Sequence, residues 1–227
     1  MTVDIPLFLI GLLLLWFPRR WMRRGAAFLQ RRKKSAESTR TEPWKNREPG
    51  DPRIGFVAEF GKFRNYIDLL RAGTGSLMLW GGLGMPAALA LAAGSSRGES
   101  MKFMALRALL RLIGVLVQSI RYEKKHLSFY PPIFYLAGVS LALSDPRGAA
   151  FAFILVWAIN SALPNAQAFL SAYAFLIAVF GLFFSRRMDL SVILAAVLCF
   201  LPVLMSLLAN RQLMVFTRKA ARTGARP

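Results

Sequence analysis

Apolar residues gather into long blocks separated by short polar and basic segments, and each block predicts a helix. Ile5 to Phe17 is the first. It has the length of a signal-peptide core, but Asp4 stands where a positive charge is needed. Pro18-Arg19-Arg20-Trp21-Met22-Arg23-Arg24 follows without a small-residue cleavage site. The block reads as an uncleaved first span, or as a helix that dips into one leaflet. Between Ile54 and Arg71 apolar residues recur at Phe56, Val57, Phe60, Phe63, Ile67 and Leu70. Spacings of three and four predict an amphipathic helix lying along a membrane and leading into the next block.

Residues 73–93 form that next block, uncharged apart from its flanks, rich in small residues and broken at Gly81-Gly82-Leu83-Gly84-Met85-Pro86. Gly84, Ala88 and Ala92 have the small-xxx-small spacing of a close helix contact. A discontinuous helix lining a site is the alternative there. Residues 103–120 are a third block, carrying Arg107, Arg111 and Gln118 near one helical face. Residues 129–143 are a fourth, ending at the turn Asp145-Pro146-Arg147-Gly148. Ala149 to Phe184 runs 36 residues without a charge. That is too long for one span of about 20 residues, and predicts a helical hairpin with its turn at Asn160-Ser161-Ala162-Leu163-Pro164-Asn165-Ala166-Gln167. Leu190 to Ala209 is the last block, with Pro202 inside it.

These blocks predict an all-α integral membrane protein. It would be a polytopic helical bundle of about seven transmembrane helices, or six if residues 73–93 are re-entrant, with basic amphipathic interfacial helices added. The expected organisation is an N-terminal span (1–17), a basic cytoplasmic arm with linker and interfacial helix (18–72), a transmembrane bundle (73–209) and a basic cytoplasmic tail (210–227). Composition agrees: of 227 residues 56% are hydrophobic and 18% charged, with a mean hydropathy of +0.44. A soluble domain carries about 25% charged residues. Disordered, collagen-like and disulfide-scaffold classes are excluded, the last because Cys199 is the only cysteine.

Charge sets an expected orientation. The net charge is +19, and residues 18–72 alone hold 15 Lys or Arg against six Asp or Glu. With seven spans and the N-terminus outside, the inside segments sum to +16 and the outside segments to +1. This places the C-terminus in the cytoplasm of a bacterial-type inner or plasma membrane. The same bias accounts for the charge without nucleic acid. In the arm, Arg19, Arg20, Arg23, Arg24, Arg31, Arg32, Lys33 and Lys34 interleave with Trp21 and Phe28, a pattern suited to anionic lipid headgroups. Membrane lipids and protein partners in a membrane complex are the expected partners.

Most catalytic chemistries lack their residues. All eleven acids are expected outside the apolar cores, which argues against carboxylate-driven proton coupling. No acid pair has the spacing of a Mg²⁺-diphosphate site. His126 is the only histidine, too few for a zinc site, and a Ser–His dyad has little to recommend it. Gly73-Thr74-Gly75-Ser76 lacks the lysine and preceding strand of a phosphate loop and reads as a span entrance. No metal and no cofactor is expected. Two features stand out. Arg107, Arg111 and Gln118 are candidates for binding an anion or lipid phosphate, against the alternative of an interfacial helix with both guanidiniums in water. Asn160, Asn165 and Gln167 either cap helices or face a polar cavity. The expected function is therefore non-enzymatic, as a scaffold or small permease with a basic cavity. The alternative is a membrane enzyme acting on a lipid-linked phosphate.

Overall fold

A computed structural model describes residues 4–18, 54–82, 97–123, 126–185, 189–211 and 213–214. Helix α1 spans Ile5–Trp16. Asp4 caps it by accepting from the Leu7 amide at 3.1 Å, and Pro6 sits in its first turn, where no amide donor is required. A short helix α2 (Phe56–Phe60) leads into α3 (Phe63–Gly82), and α4 spans Arg97–Ser119. Then β1 (Ile120–Glu123) pairs antiparallel with β2 (His126–Phe129), placing Ile120 opposite Phe129 and Tyr122 opposite Leu127. Helices α5 (Ile133–Leu143), α6 (Pro146–Ala158), α7 (Ala166–Ser185) and α8 (Leu190–Leu208) follow.

Helix α3 is sandwiched between α1 and α5, and α7 between α6 and α8. Helix α8 also packs on α5 and α4, so α5 and α8 join the two halves. Where α3 crosses α5 the backbones nearly touch. A Cβ on Gly138 would run into the Leu69 carbonyl, so glycine is needed there for this approach, while one on Gly73 would lie in ordinary contact, 3.4 Å from the Gly138 carbonyl. The expected span entrance at residues 73–76 is thus mid-helix, and its glycines serve packing. An aromatic cluster seals the other side of α5: Phe60 lies 5.1 Å from Trp157, Trp157 lies 4.9 Å from Phe169, and Phe134 lies 5.6 Å from Phe153. After α8, Asn210 adopts φ 48° while the amides of Asn210 and Arg211 bond back to Leu207 and Ser206 at 3.0 Å each. This paired closure ends the helix, and the chain returns to β2 through Met214, whose amide meets the Phe129 carbonyl at 2.8 Å.

The structure is almost entirely helical, as expected, but seven full spans are not shown. Among the described residues two helices are long and apolar enough to cross a membrane, Ala166–Phe184 and Leu190–Leu208. Helices α1, α5 and α6 have 12, 11 and 13 residues. At 1.5 Å per residue they measure only about 17–20 Å, against a hydrocarbon core of about 30 Å. The expected hairpin of 149–184 does form, as α6 and α7, with a 3₁₀ turn at Asn160–Ala162 between them. The expected interfacial helix and the start of the following block are one helix, since α3 runs unbroken through residues 72 and 73. The strand pair was not anticipated; the signal in the sequence is the alternation of apolar and polar residues over 120–123 and again over 126–129. Gly84, Ala88 and Ala92 lie outside the described residues.

Helix α3 is turned inside out relative to a helix of a water-soluble core. Phe63, Tyr66, Ile67, Leu70 and Leu77 are exposed, while Asn65, Asp68, Arg71 and Ser76 are buried. The same holds in α4, where Leu106, Leu109 and Val117 face outward and Arg107, Arg111, Gln118 and Ser119 face inward. The expectation that every acid lies outside the apolar cores is therefore wrong for Asp68, which is 0% exposed. It is buried because the apolar stripe of α3, which was expected to mark the membrane-surface face, is the outward one.

Candidate functional site

The buried polar faces of α3 and α4 meet as an antiparallel ladder. At one end Arg107 Nη2 donates to the Trp80 carbonyl at 3.2 Å. One turn along, Arg111 Nη2 donates to the Ser76 carbonyl at 3.0 Å. At the far end Arg71 Nη2 donates to Gln118 Oε1 at 2.8 Å. Residue numbers rise on α4 as they fall on α3, because an antiparallel pair keeps one face of each helix in register over several turns. The expectation that Arg107, Arg111 and Gln118 share one face is met, and the face points into the bundle rather than into water.

The Arg71 end closes the C-terminus of α1. The last carbonyls of a helix have no partner within it and carry the negative end of its dipole. Arg71 Nη1 donates to the Phe17 carbonyl at 2.5 Å, and Gln118 Nε2 donates to the same oxygen at 3.0 Å. The Tyr135 hydroxyl donates to the Leu15 carbonyl at 3.1 Å, in space that exists because residue 114 has no Cβ. Arg71 Nε pairs with Asp68 Oδ1 at 2.9 Å, and its guanidinium carbon stands 5.5 Å over the Tyr135 ring. Below this, Asn65 Nδ2 donates to Glu59 Oε2 at 2.6 Å. Trp16 adds a further tie by donating to the Leu110 carbonyl at 2.9 Å. Asn65, Asp68, Arg71 and Tyr135 were all missed in the sequence. The available signal was Asp68 with Arg71 at i, i+3, a spacing that places an ion pair on one face of a helix.

The other end of the ladder borders a cavity of about 350 Å³. Helix α4 contributes Met104, Ala105, Arg107, Ala108 and Arg111. Helix α8 contributes Leu190, Ser191, Ile193, Leu194 and Val197, and Leu143 and Trp80 complete the lining. The walls are thus mostly apolar, and the polar groups among the lining residues are hydrogen-bond donors apart from the Ser191 hydroxyl, which can act either way. No histidine, cysteine or carboxylate is among them. Arg111 is 3% exposed, makes its one hydrogen bond to Ser76, and keeps a buried Nε without a partner. Trp80 Nε1 and Ser76 Oγ are likewise buried and unpartnered. Of these three residues, Arg111 and Trp80 line the cavity and Ser76 does not, and buried donors without partners in a native fold call for an explanation.

The second group of sequence candidates lies elsewhere. Asn165 Oδ1 accepts from the Ala168 amide at 2.7 Å, capping α7. Asn160 Nδ2 donates to the Ile54 carbonyl at 2.7 Å, tying the α6–α7 turn to the residues before α2. Gln167 Nε2 donates to Ser206 Oγ at 2.7 Å, linking α7 to α8. None of the three borders the cavity between α4 and α8. The basic candidates Arg19, Arg20, Arg23, Arg24, Arg31, Arg32, Lys33 and Lys34 lie outside the described residues. No group of three potential metal ligands occurs among the described residues. No protein-family profile, curated protein or solved structure matches the chain.

Proposed function

We propose that this chain is a polytopic membrane protein that binds an anion in the cavity between α4 and α8 without transforming it, as a ligand-binding subunit of a membrane complex or as a small permease. The observation that carries the reading is Arg111. A desolvated guanidinium is costly unless paired, and no carboxylate pairs with this one among the described residues. Arg111 and Trp80 both line the cavity and both carry a buried donor without a partner, and an oxyanion held there would accept from such donors. The membrane half of the reading rests on the inverted faces of α3 and α4. Hydrocarbon tolerates Phe63, Leu70 and Leu109 on the outside and drives Asp68, Arg71 and Arg111 inward, where they find one another and the helix carbonyls. In this reading the N-terminus is outside, the tail is cytoplasmic, and the basic arm rests on anionic headgroups.

The test is thermal unfolding of the purified protein in a neutral detergent, titrated with inorganic phosphate, sulfate and an alkyl phosphate. A ligand present at about 100 times its dissociation constant adds about 2.7 kcal/mol to the folded state. For a chain of this size that corresponds to a rise in Tm of about 5–10 °C. Arg111→Leu is expected to abolish the rise and Arg111→Lys to restore part of it, since lysine keeps the charge but not the planar fork. A wild-type protein that gains nothing from any of these anions would refute the reading.

A further inference from the structure

The geometry points to a membrane lipid as the source of the anion: a phosphate headgroup on Arg111, with an acyl chain lying along α8. This rests on the anion-binding reading and narrows it. A site built for a free inorganic anion surrounds the ligand with donors and has a polar approach. Here both guanidiniums, Arg107 and Arg111, stand on α4, Ser191 is the single polar residue α8 contributes, and the lining apart from these and Trp80 is apolar. The α8 wall also reaches the surface. Leu190, Ile193 and Val197 line the cavity, yet each remains exposed on the outer side of the helix. The α8 wall of the cavity is therefore also part of an apolar flank, of the kind that faces hydrocarbon in a bilayer. A hydrated phosphate ion would have to cross that flank without its water, at large cost. A lipid already in the leaflet arrives with its chain in hydrocarbon and needs only to draw its headgroup to the guanidinium, a charge-assisted contact in a water-poor setting.

The experiment compares three probes on the full chain in maltoside micelles: dodecyl phosphate, dodecyl maltoside at the same mole fraction, and inorganic phosphate at the same total concentration. Dodecyl phosphate is expected to raise Tm by about 5–10 °C at saturation, inorganic phosphate by clearly less, and extra maltoside not at all. Because the protein is strongly basic, two variants separate this site from diffuse attraction. Arg111→Gln should lose the shift, whereas Arg147→Gln, on the exposed start of α6, should keep it. Val197→Trp adds bulk to the α8 wall of the cavity at an exposed lining position, and should remove the advantage of dodecyl phosphate over inorganic phosphate. Equal shifts from dodecyl phosphate and inorganic phosphate would overturn the lipid assignment and leave the anion reading standing. No shift from any probe, or one unaffected by Arg111→Gln, would overturn both.

Discussion

Replacing Arg71 with methionine tests whether the polar seam between α1, α3 and α4 holds the fold together. The guanidinium touches Asp68 at 2.9 Å, the Phe17 carbonyl at 2.5 Å and Gln118 at 2.8 Å, and it is almost fully buried. Methionine fills much of the same volume, so the cavity term is small and the electrostatic loss dominates. Breaking a buried pair by removing one partner costs about 3–5 kcal/mol, because the remaining charge stays desolvated. The Phe17 carbonyl of α1 loses the Arg71 bond and keeps the one from Gln118. For a chain of this length each kcal/mol moves Tm by about 2–4 °C, so Arg71→Met is expected to lower it by roughly 6–20 °C. The double variant Asp68→Leu/Arg71→Met removes both charges and should recover about 1–3 kcal/mol of that loss, the coupling expected between residues in contact. Calorimetry in detergent would measure both. An Arg71→Met protein within about 1 kcal/mol of wild type, or a double variant that is simply the sum of its parts, would show that the pair is incidental.

Two further outcomes follow from the packing and from the charge distribution. Gly138→Leu, whose side chain would have to displace the Leu69 carbonyl at the α3–α5 crossing, should cost at least about 1–3 kcal/mol; a protein of unchanged Tm would mean that the two helices are not closely apposed. A cysteine introduced at Ser38 on a Cys199→Ala background should resist membrane-impermeant thiol reagents in intact cells if the basic arm lies on the cytoplasmic side, as proposed from its charge; strong labelling would refute that orientation.

How much of this was legible depended on whether a residue's partner was local. Asp145 and Asn165 bond amides two or three residues ahead, so the α6–α7 hairpin and its flanking turns could be read from the chain. Arg107, Arg111 and Gln118 could be grouped on one face because they sit on one helix. What they touch could not, since Ser76, Trp80 and Phe17 lie 27 to 101 residues away. The error over Asp68 had a different origin. The apolar stripe Phe63, Ile67, Leu70 describes an amphipathic helix equally well with either face inward; periodicity gives the angle of the stripe and not the polarity of the solvent. Only the positions of α1 and α5 decide that the polar face is the buried one.

The two ends of the α3–α4 ladder use arginine for different reasons, and the difference bears on what Arg111 can do. At Arg71 the fork is spent: Nη1 and Nη2 serve Phe17 and Gln118, and Nε serves Asp68. Every direction of the guanidinium is committed, so this end is structural. At Arg111 a single Nη2 is committed, to a Ser76 carbonyl that lies within α3. That bond fixes the plane of the guanidinium and thereby aims the remaining donors, at no further conformational cost when a ligand arrives. A lysine at the same position has one ammonium to divide between the Ser76 carbonyl and a ligand. Arg111→Lys is therefore expected to weaken anion binding more than it weakens the fold, whereas Arg71→Lys should do the reverse.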